Sequence, residues 1–221
     1  NQMITSTSTN GGLAYQIYNV PSNQYFIGMD GKVNPRATMG NIVNYNGVDY
    51  LLTADNWDDE AYSTGFRQEY NASVAGSTDR MSIYGSFGYL KDEGIVSNTD
   101  MFRYTARLRA DYQAKKWLSI GGNASFTNYK WNQLSDEGKS GSTGNVFAFT
   151  SNIAPIYPVY LRHPDGSKMI DANGITMYDY GAGMNAGLSR PYLSQGNALS
   201  QVLLDKSYTD GNAFTGTAYV E

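Results

Sequence analysis

The chain has no cysteine, one histidine and few charged residues. The absence of cysteine excludes disulfide scaffolds and thiol chemistry. With His163 as the single histidine, a metal site built on two histidines is also excluded, and we interpret His163 as an ordinary loop residue. The net charge of −4 provides no basic patch, so we expect no nucleic-acid partner.

Long hydrophobic runs are also missing, since no segment approaches the roughly 18 apolar residues of a transmembrane helix. Nevertheless charged residues make up only 16% of the chain and hydrophobic residues 41%, which is a low charge content for a soluble surface. A mean hydropathy of −0.46 argues against a helical membrane protein. It is compatible with a β-barrel, because half of each barrel strand faces water.

Residues 102–113 alternate strictly between apolar and polar side chains. Period-2 alternation over this length predicts a strand with one apolar and one polar face. Strands of soluble sandwiches need only about 5 or 6 residues, whereas a tilted strand needs about 9 to 11 to cross a bilayer. The pattern therefore favours a barrel strand with lipid on one side and a watery interior on the other.

The same alternation recurs along the chain. It covers residues 66–75, 81–90, 101–112, 117–131 and 211–221. The predicted fold class is all-β: a partial segment of a large antiparallel transmembrane β-barrel with long extracellular loops. Residues 66–131 form four antiparallel barrel strands, and residues 211–221 form a returning barrel strand.

Loop lengths predict the orientation of these strands, since such barrels have short periplasmic turns and long outer loops. The turns at 76–79 and 113–116 are expected in the periplasm. The 91–100 loop and the long 132–210 loop are expected to be extracellular. Residues 1–65 show no sustained period and are predicted to be an irregular extracellular loop region.

Three segments closely resemble the early barrel strands of the SusC/RagA family of TonB-linked outer-membrane transporters of Bacteroidetes. They are residues 57–76 (WDDEAYSTGFRQEYNASVAG), 84–96 (YGSFGYLKDEGIV) and 102–108 (FRYTARL). Residues 154–160 (APIYPVY) and the pair Asp165-Gly166 resemble the large loop that follows these strands in the family. The resemblance is specific because several motifs recur in the same order.

The resemblance implies a barrel of about 22 strands with a plugged lumen. It further implies a SusD-like surface lipoprotein as partner, and TonB-driven uptake of oligosaccharides or peptides across the outer membrane. The plug, the segment that contacts TonB and most of the barrel are not expected among these residues. Residues 1–10 are polar and unlike a signal peptide, so we expect an internal segment of a longer protein. Neither an enzyme nor a cofactor is predicted.

The 132–210 segment contains the candidate ligand-binding residues. They are Tyr157, Tyr160, Arg162, Tyr178 and Tyr180, and Arg190 and Tyr192 lie in the same segment. Aromatic faces stack on sugar rings, and guanidinium groups bind carboxylates. Alternatively, these tyrosines pack the loop on itself or against a lid protein.

Other motifs carry less chemistry. Gly138-Lys139-Ser140 lacks the earlier glycine of a phosphate-binding loop, because position 133 is Gln. The acidic run 58–60 and the aspartates Asp165 and Asp171 lack the ligand spacing of a calcium loop. Asx-type turns are the better prediction for both aspartates.

Two further functions remain open at this stage. The chain could be a secreted or surface β-rich lectin or adhesin that binds glycans without transport, or part of a passive porin. A lectin buries its apolar strand faces against each other, whereas a barrel leaves them in lipid.

Overall fold

The computed structural model describes residues 14–134 and 145–221. These residues form two compact units. The sheet unit contains residues 62–134 and 205–221, and the loop unit contains residues 14–61 and 145–204. The elements in chain order are β1 (Tyr18–Asn19), β2 (Thr38–Met39), β3 (Asn41–Tyr45), β4 (Val48–Leu52), α1 (Trp57–Ala61), β5 (Arg67–Ser77), β6 (Met81–Glu93), β7 (Asp100–Lys115), β8 (Leu118–Gln133), α2 (Val146–Asn152), β9 (Ala182–Asn185), β10 (Leu188–Ser189), α3 (Ala198–Leu204) and β11 (Ser207–Val220).

The sheet unit is built on one five-stranded sheet in the order β11-β8-β7-β6-β5. Every neighbouring pair is antiparallel. The predicted all-β class with long antiparallel strands is confirmed. The four consecutive strands end at Gln133 rather than residue 131, and the returning strand begins at Ser207 rather than residue 211.

Tight turns join the central strands of the sheet. Between β5 and β6, the Thr78 hydroxyl accepts a hydrogen bond from the Met81 backbone N–H at 3.1 Å. Between β7 and β8, only Lys116 and Trp117 lie outside the strands. Each turn reverses the chain at once, so consecutive strands become neighbours in the sheet.

The register aligns the apolar side chains of all five strands into shared rows. The central row contains Ala72, Phe87, Ala106, Phe126 and Phe214. Further rows on the same side are Val74–Gly85–Leu108–Ala124–Gly216, Gly76–Ile83–Ala110–Gly122–Ala218 and Tyr70–Tyr89–Tyr104–Asn128–Asn212, of which the last ends in two asparagines. We call this side the apolar face.

The apolar face has the height of a membrane-spanning band. On β6 it runs from Met81 to Tyr89, about 27 Å of strand at about 3.4 Å per residue. A tilt of about 40° reduces this to about 21 Å, close to the roughly 25 Å band of outer-membrane barrels. At one end, the rings of Tyr70 and Tyr104 lie 6.1 Å and 5.1 Å from that of Tyr89, as in an interfacial aromatic girdle.

The opposite side of the sheet is the polar face. Its two central rows are Asn71–Gly88–Thr105–Thr127–Ala213 and Ser73–Ser86–Arg107–Ser125–Thr215. A cavity of about 560 Å³ opens on this side. Thr105 and Thr127 are half-buried, whereas Ala106 and Phe126 on the apolar face are exposed. The sheet is therefore concave on its polar side and convex on its apolar side.

The loop unit is more regular than predicted. Residues 14–61 were expected to be irregular, but β3 and β4 form a hairpin within them. Asn46 and Gly47 both have positive φ, 52° and 80°, as the tight turn of this hairpin requires. Helix α2 begins at a side-chain cap, because Asn145 accepts hydrogen bonds from the N–H groups of Phe147 and Ala148.

The loop unit has its own hydrophobic core. Its most deeply buried apolar side chains include Tyr15, Ile17, Leu52, Val146, Phe149, Val159, Leu161 and Leu199. Trp57 of α1 joins this core, and its indole N–H donates to the Tyr157 carbonyl at 2.8 Å. Among the described residues, no helix has the length and hydropathy needed to cross a membrane.

Candidate functional site: the polar face of the sheet and the packed loop unit

Three arginines of β7 lie on the polar face, because positions 103, 107 and 109 share one side of the strand. Arg109 is ion-paired, its Nε 2.8 Å from Asp111 Oδ2. Arg103 and Arg107 form no ion pair within the residues that the structure describes. Arg109 is therefore the one arginine of the three that has a carboxylate within ion-pair distance in this part of the chain.

A glycine lies on the polar face between the rows of these two arginines. Gly88 lies between Asn71 and Thr105 in one row, and Arg103 and Arg107 belong to the adjacent rows of the polar face. A Cβ at Gly88 would lie 2.6 Å from Thr105 Oγ1 and 2.7 Å from Asn71 Oδ1. The Thr105 and Asn71 side chains therefore already fill the space beside Gly88, and the residue is buried.

The acidic group nearest to Gly88 in the register is Glu69, which shares a row with Arg103. Glu69 accepts hydrogen bonds from Arg67 at 3.1 Å and from Asn71 at 3.2 Å. Its charge is therefore shared with Arg67 and, by a longer-range attraction, with Arg103. The chemistry available on this part of the polar face is hydrogen bonding with charges of both signs, which suits the binding of polar solutes.

Three of the five predicted ligand residues are buried in the loop unit. Tyr157, Tyr160 and Tyr178 are 3%, 4% and 6% exposed. Tyr157 packs edge-on against Tyr15, with ring centroids 5.0 Å apart. The Tyr160 hydroxyl donates to Glu60 Oε2 at 2.6 Å. Burial and then this bond to Glu60 raise the pKa of Tyr160 well above its usual value.

Arg162 and Tyr180 are more accessible, but Arg162 is engaged within the loop unit. Arg162 Nη2 lies 2.7 Å from Asp55 Oδ1, and the other oxygen of Asp55 accepts from the Val159 N–H at 2.8 Å. Tyr180 is half-buried. The structure thus brings Tyr160, Arg162 and Tyr178 together, and a ligand-binding role for the five residues remains a prediction.

A buried polar cluster of the loop unit was not predicted from the sequence. Asp179 is fully buried and accepts hydrogen bonds from the Tyr15 hydroxyl at 3.0 Å and from the Gly181 N–H at 2.7 Å. Burial raises the pKa of Asp179, and the nearby positive charge of Arg190 opposes this shift. Arg190 is 2% exposed, so this residue of the loop segment is internal.

Asn197 joins this cluster to the backbone. Its side-chain amide donates to the carbonyls of Val159 and Asp179, each at 3.0 Å, and its Oδ1 accepts from the Ser200 N–H at the start of α3. An asparagine just before a short apolar run is a helix N-cap pattern, so this residue could have been found from the sequence. Nothing local marks Asp179 or Arg190, because their proximity arises from tertiary packing.

The predicted Asx-type turns are confirmed. Asp165 Oδ1 accepts from the N–H of Ser167 at 2.9 Å, and Asp171 Oδ1 accepts from the N–H of Asn173 at 2.8 Å. These contacts with Ser167 lower the pKa of Asp165. His163 lies in the same turn as Asp165, and the backbone N–H of His163 donates to the Ser167 carbonyl at 2.9 Å.

The acidic motifs that the structure describes form no metal site. Within residues 14–134 and 145–221, no cluster of three or more His, Cys, Asp or Glu side chains could hold a metal ion. The acidic run 58–60 lies in the short helix α1. Gly138-Lys139-Ser140 lies outside the described residues.

Comparison with known proteins places this geometry in context. No family model matches the chain. A TonB-dependent receptor P3 from Formosa agariphila is 27% identical over 120 residues, which is 53% of this chain and 12% of that protein. The structure of the RagAB peptide importer in the open-open state matches with a TM-score of 0.51 at 20% identity, over 82% of this chain and 18% of the importer chain.

The resemblance to a TonB-linked transporter is confirmed. The structural likeness to the importer shows the fold, so the five-stranded sheet is a partial β-barrel. The two relatives are named for reception and for peptide import, and neither name denotes an enzyme. The chain spans only 12% of the receptor and 18% of the importer chain.

Proposed function

We propose that this chain forms part of the barrel and extracellular loops of a TonB-dependent importer in the outer membrane of Gram-negative Bacteroidetes. The observation that carries the proposal is the orientation of the sheet. Its convex side exposes large apolar residues, among them Leu108 at 57% and Phe214 at 74% exposure. Its concave side carries arginines and hydroxyl groups, as the lumen of a barrel does.

The imported solute is a peptide or an oligosaccharide. The importer whose fold resembles the sheet is named for peptides, which favours a peptide. Hydroxyl, amide and guanidinium groups on the polar face would hydrogen-bond the backbone and carboxylates of such a solute. Among the predicted ligand residues, half-buried Tyr180 is the most accessible, and buried Tyr157, Tyr160 and Tyr178 support the loop unit from within.

The proposed partners are a SusD-like surface lipoprotein and TonB, the latter reached through parts of the protein outside this chain. The loop unit exposes large apolar side chains, including Tyr25 at 70% and Met29, whose side chain is fully exposed. Such side chains are typical of surfaces that dock another protein. This favours a partner protein bound to the loops over loops that remain exposed to solvent.

A surface lectin or adhesin is the second candidate. Such a protein would bury the apolar face of this sheet against a second sheet. Among the described residues the apolar face has no such cover, since Val74 and Phe126 are 72% and 42% exposed. A passive porin has the same sheet orientation and differs from an importer only in needing no energy input.

Uptake in living cells separates these functions. Cells carrying the full-length protein are given a fluorescent peptide mixture, with TonB present or deleted. We expect accumulation that requires both the protein and TonB. Accumulation that persists without TonB would indicate a porin, and surface binding without accumulation would indicate a lectin or adhesin.

A further inference from the structure

We propose that a cleft of the loop unit binds a lysine or arginine side chain of the incoming peptide, so that the protein binds basic peptides more tightly than neutral ones. The inference rests on the proposed import of peptides, and it names the side chain that the loop unit recognises. The cleft, which we call the Trp57 cleft, has a volume of about 510 Å³. Its lining includes Met39, Asp55, Asn56, Trp57, Asp58 and Pro155, all in the loop unit.

The wall of the cleft formed by Trp57 is held in place by contacts inside the loop unit. Trp57 of α1 packs against Phe149 of α2, with ring centroids 5.0 Å apart. Its indole N–H donates to the Tyr157 carbonyl at 2.8 Å. This wall is therefore formed before any ligand binds, which lowers the entropic cost of binding.

The apolar part of the cleft is accessible from solvent. Met39 is 54% exposed and Pro155 is also exposed, whereas Trp57 and Ile153 lie deeper at 4% and 8% exposure. The aliphatic stem of a lysine or arginine can cover such a surface while its charged head stays near water. The cleft can thus bury the stem of a basic side chain.

The charge of the cleft is negative. Asp55 is already engaged, with Oδ1 2.7 Å from Arg162 Nη2. Asp58 is exposed and forms no ion pair within the described part of the chain. The described residues that line the cleft include no lysine, arginine or histidine. The carboxylate of Asp58 is therefore available to a cation from outside.

The combination of an apolar surface and a free carboxylate selects one class of side chain. An acidic side chain would be repelled by Asp58. A neutral aliphatic side chain would cover the apolar surface but leave Asp58 unpaired, and a sugar would match neither part. A basic side chain with an aliphatic stem satisfies both.

The first test compares two dye-labelled tripeptides, Ala-Lys-Ala and Ala-norleucine-Ala, on the purified full-length protein in detergent. Norleucine keeps an aliphatic stem without the charge. We expect wild type to bind the lysine peptide about threefold to fivefold more tightly at low salt, and this preference to shrink as salt rises. Asp58→Asn should abolish the preference. Asp49→Asn is the matched control, because it removes the same charge from an exposed position of the loop unit outside the cleft.

A second pair of variants tests the apolar surface without changing charge. Met39→Ser removes exposed apolar lining of the cleft and should weaken binding of both peptides about threefold, leaving their ratio unchanged. Met184→Ser is the control, since Met184 is similarly exposed, at 45%, and does not line the cleft. It should leave both affinities unchanged.

Several outcomes would overturn the proposal. Wild type could bind the two peptides equally, bind the norleucine peptide more tightly, or bind neither. Asp58→Asn could keep the lysine preference or lose it no more than Asp49→Asn does, and the two methionine variants could behave alike. Failure of the import function is recognised separately, as absence of TonB-dependent uptake by cells whose purified protein still distinguishes the two peptides.

Discussion

Phe87 of β6 and Ala106 of β7 face each other across the centre of the sheet, in a row that is apolar from β5 to β11. One residue along, Gly88 faces Thr105 in a row that contains Asn71 and Thr127. A shift of the register by one residue would exchange these two environments. The alternation of β7 and the pairing of its neighbours therefore fix which side meets lipid.

The first prediction concerns this sidedness. Ala106→Arg places a charge among Phe87 and Phe126 on the apolar face and should destabilise the folded barrel by about 2–4 kcal/mol near the membrane midplane. Thr105→Arg, on the polar face, is the matched control and should have a small effect. The folded fraction of the full-length protein in outer membranes, from heat-modifiable gel mobility, measures both. Equal losses would show that the two faces share one environment.

A second prediction concerns topology. An epitope tag inserted at the exposed Asn173-Gly174 turn should bind antibody on intact cells. A tag at the exposed turn 78–80 should bind only after the outer membrane is permeabilised. The reverse pattern would mean that the short turns lie outside and that the strand direction inferred from loop length is wrong.

The third prediction concerns the ion pair of the loop unit. Asp55→Ala leaves Arg162 largely buried without its partner, and also removes the acceptor for the Val159 N–H. We expect the loop unit to lose about 3 kcal/mol of stability. Lys168→Ala, whose pair with Glu60 at 3.6 Å is more exposed, should cost about 1 kcal/mol or less. Hydrogen exchange of the Val159 and Leu51 amides reports both, and similar protection in the two variants would contradict the assignment.

The fourth prediction is a pH dependence carried by Tyr15. Burial, and then the charge of Asp179, raise the pKa of the Tyr15 hydroxyl in the folded protein far above its unfolded value. The folded state therefore retains a proton that the unfolded state releases above about pH 10, so stability falls as pH rises through that range.

Tyr15→Phe should remove this contribution. The variant loses the 3.0 Å bond to Asp179 and should be about 1–2 kcal/mol less stable at neutral pH, but its stability should change less between pH 9 and 11. Tyr192→Phe, at an exposed position, is the control. Protease resistance of the loop unit across this pH range is the measurement, and parallel curves for Tyr15→Phe and wild type would refute the role of Tyr15.

The sequence predicted the barrel strands well because alternation is a local property. Residues 102–113 identify β7 and its two faces without knowledge of any partner strand. The sequence predicted the start of β11 at residue 211, after its true start, because the polar residues Asp210 and Asn212 occupy apolar-face positions and interrupt the alternation. In the structure Asp210 pairs with Lys130 and Asn212 pairs with Asn128, so the strand continues through both positions.

The loop unit was predicted less well for two different reasons. The Asn46-Gly47 turn is a strong local hairpin pattern, and it would have placed β3 and β4 in a segment expected to be irregular. The Asp179 side chain accepts a hydrogen bond from Tyr15, and its backbone carbonyl accepts one from Asn197. These contacts join distant segments of the chain, and no periodicity in the sequence predicts them. Residue type alone could likewise not show whether Tyr157 and Tyr160 are buried in the loop unit or exposed to a ligand.

The most direct test of the membrane orientation is a cysteine scan of residues 103–109 in the full-length protein. These 221 residues contain no native cysteine, so labelling within them reports only the introduced thiol. In outer membranes, a water-soluble maleimide should label positions 103, 105, 107 and 109, and a lipid-dissolved nitroxide should quench probes at 104, 106 and 108. A strict period of two with this phase is the predicted result. Water labelling at 104, 106 and 108, or no alternation at all, would contradict a strand that separates lipid from a polar lumen.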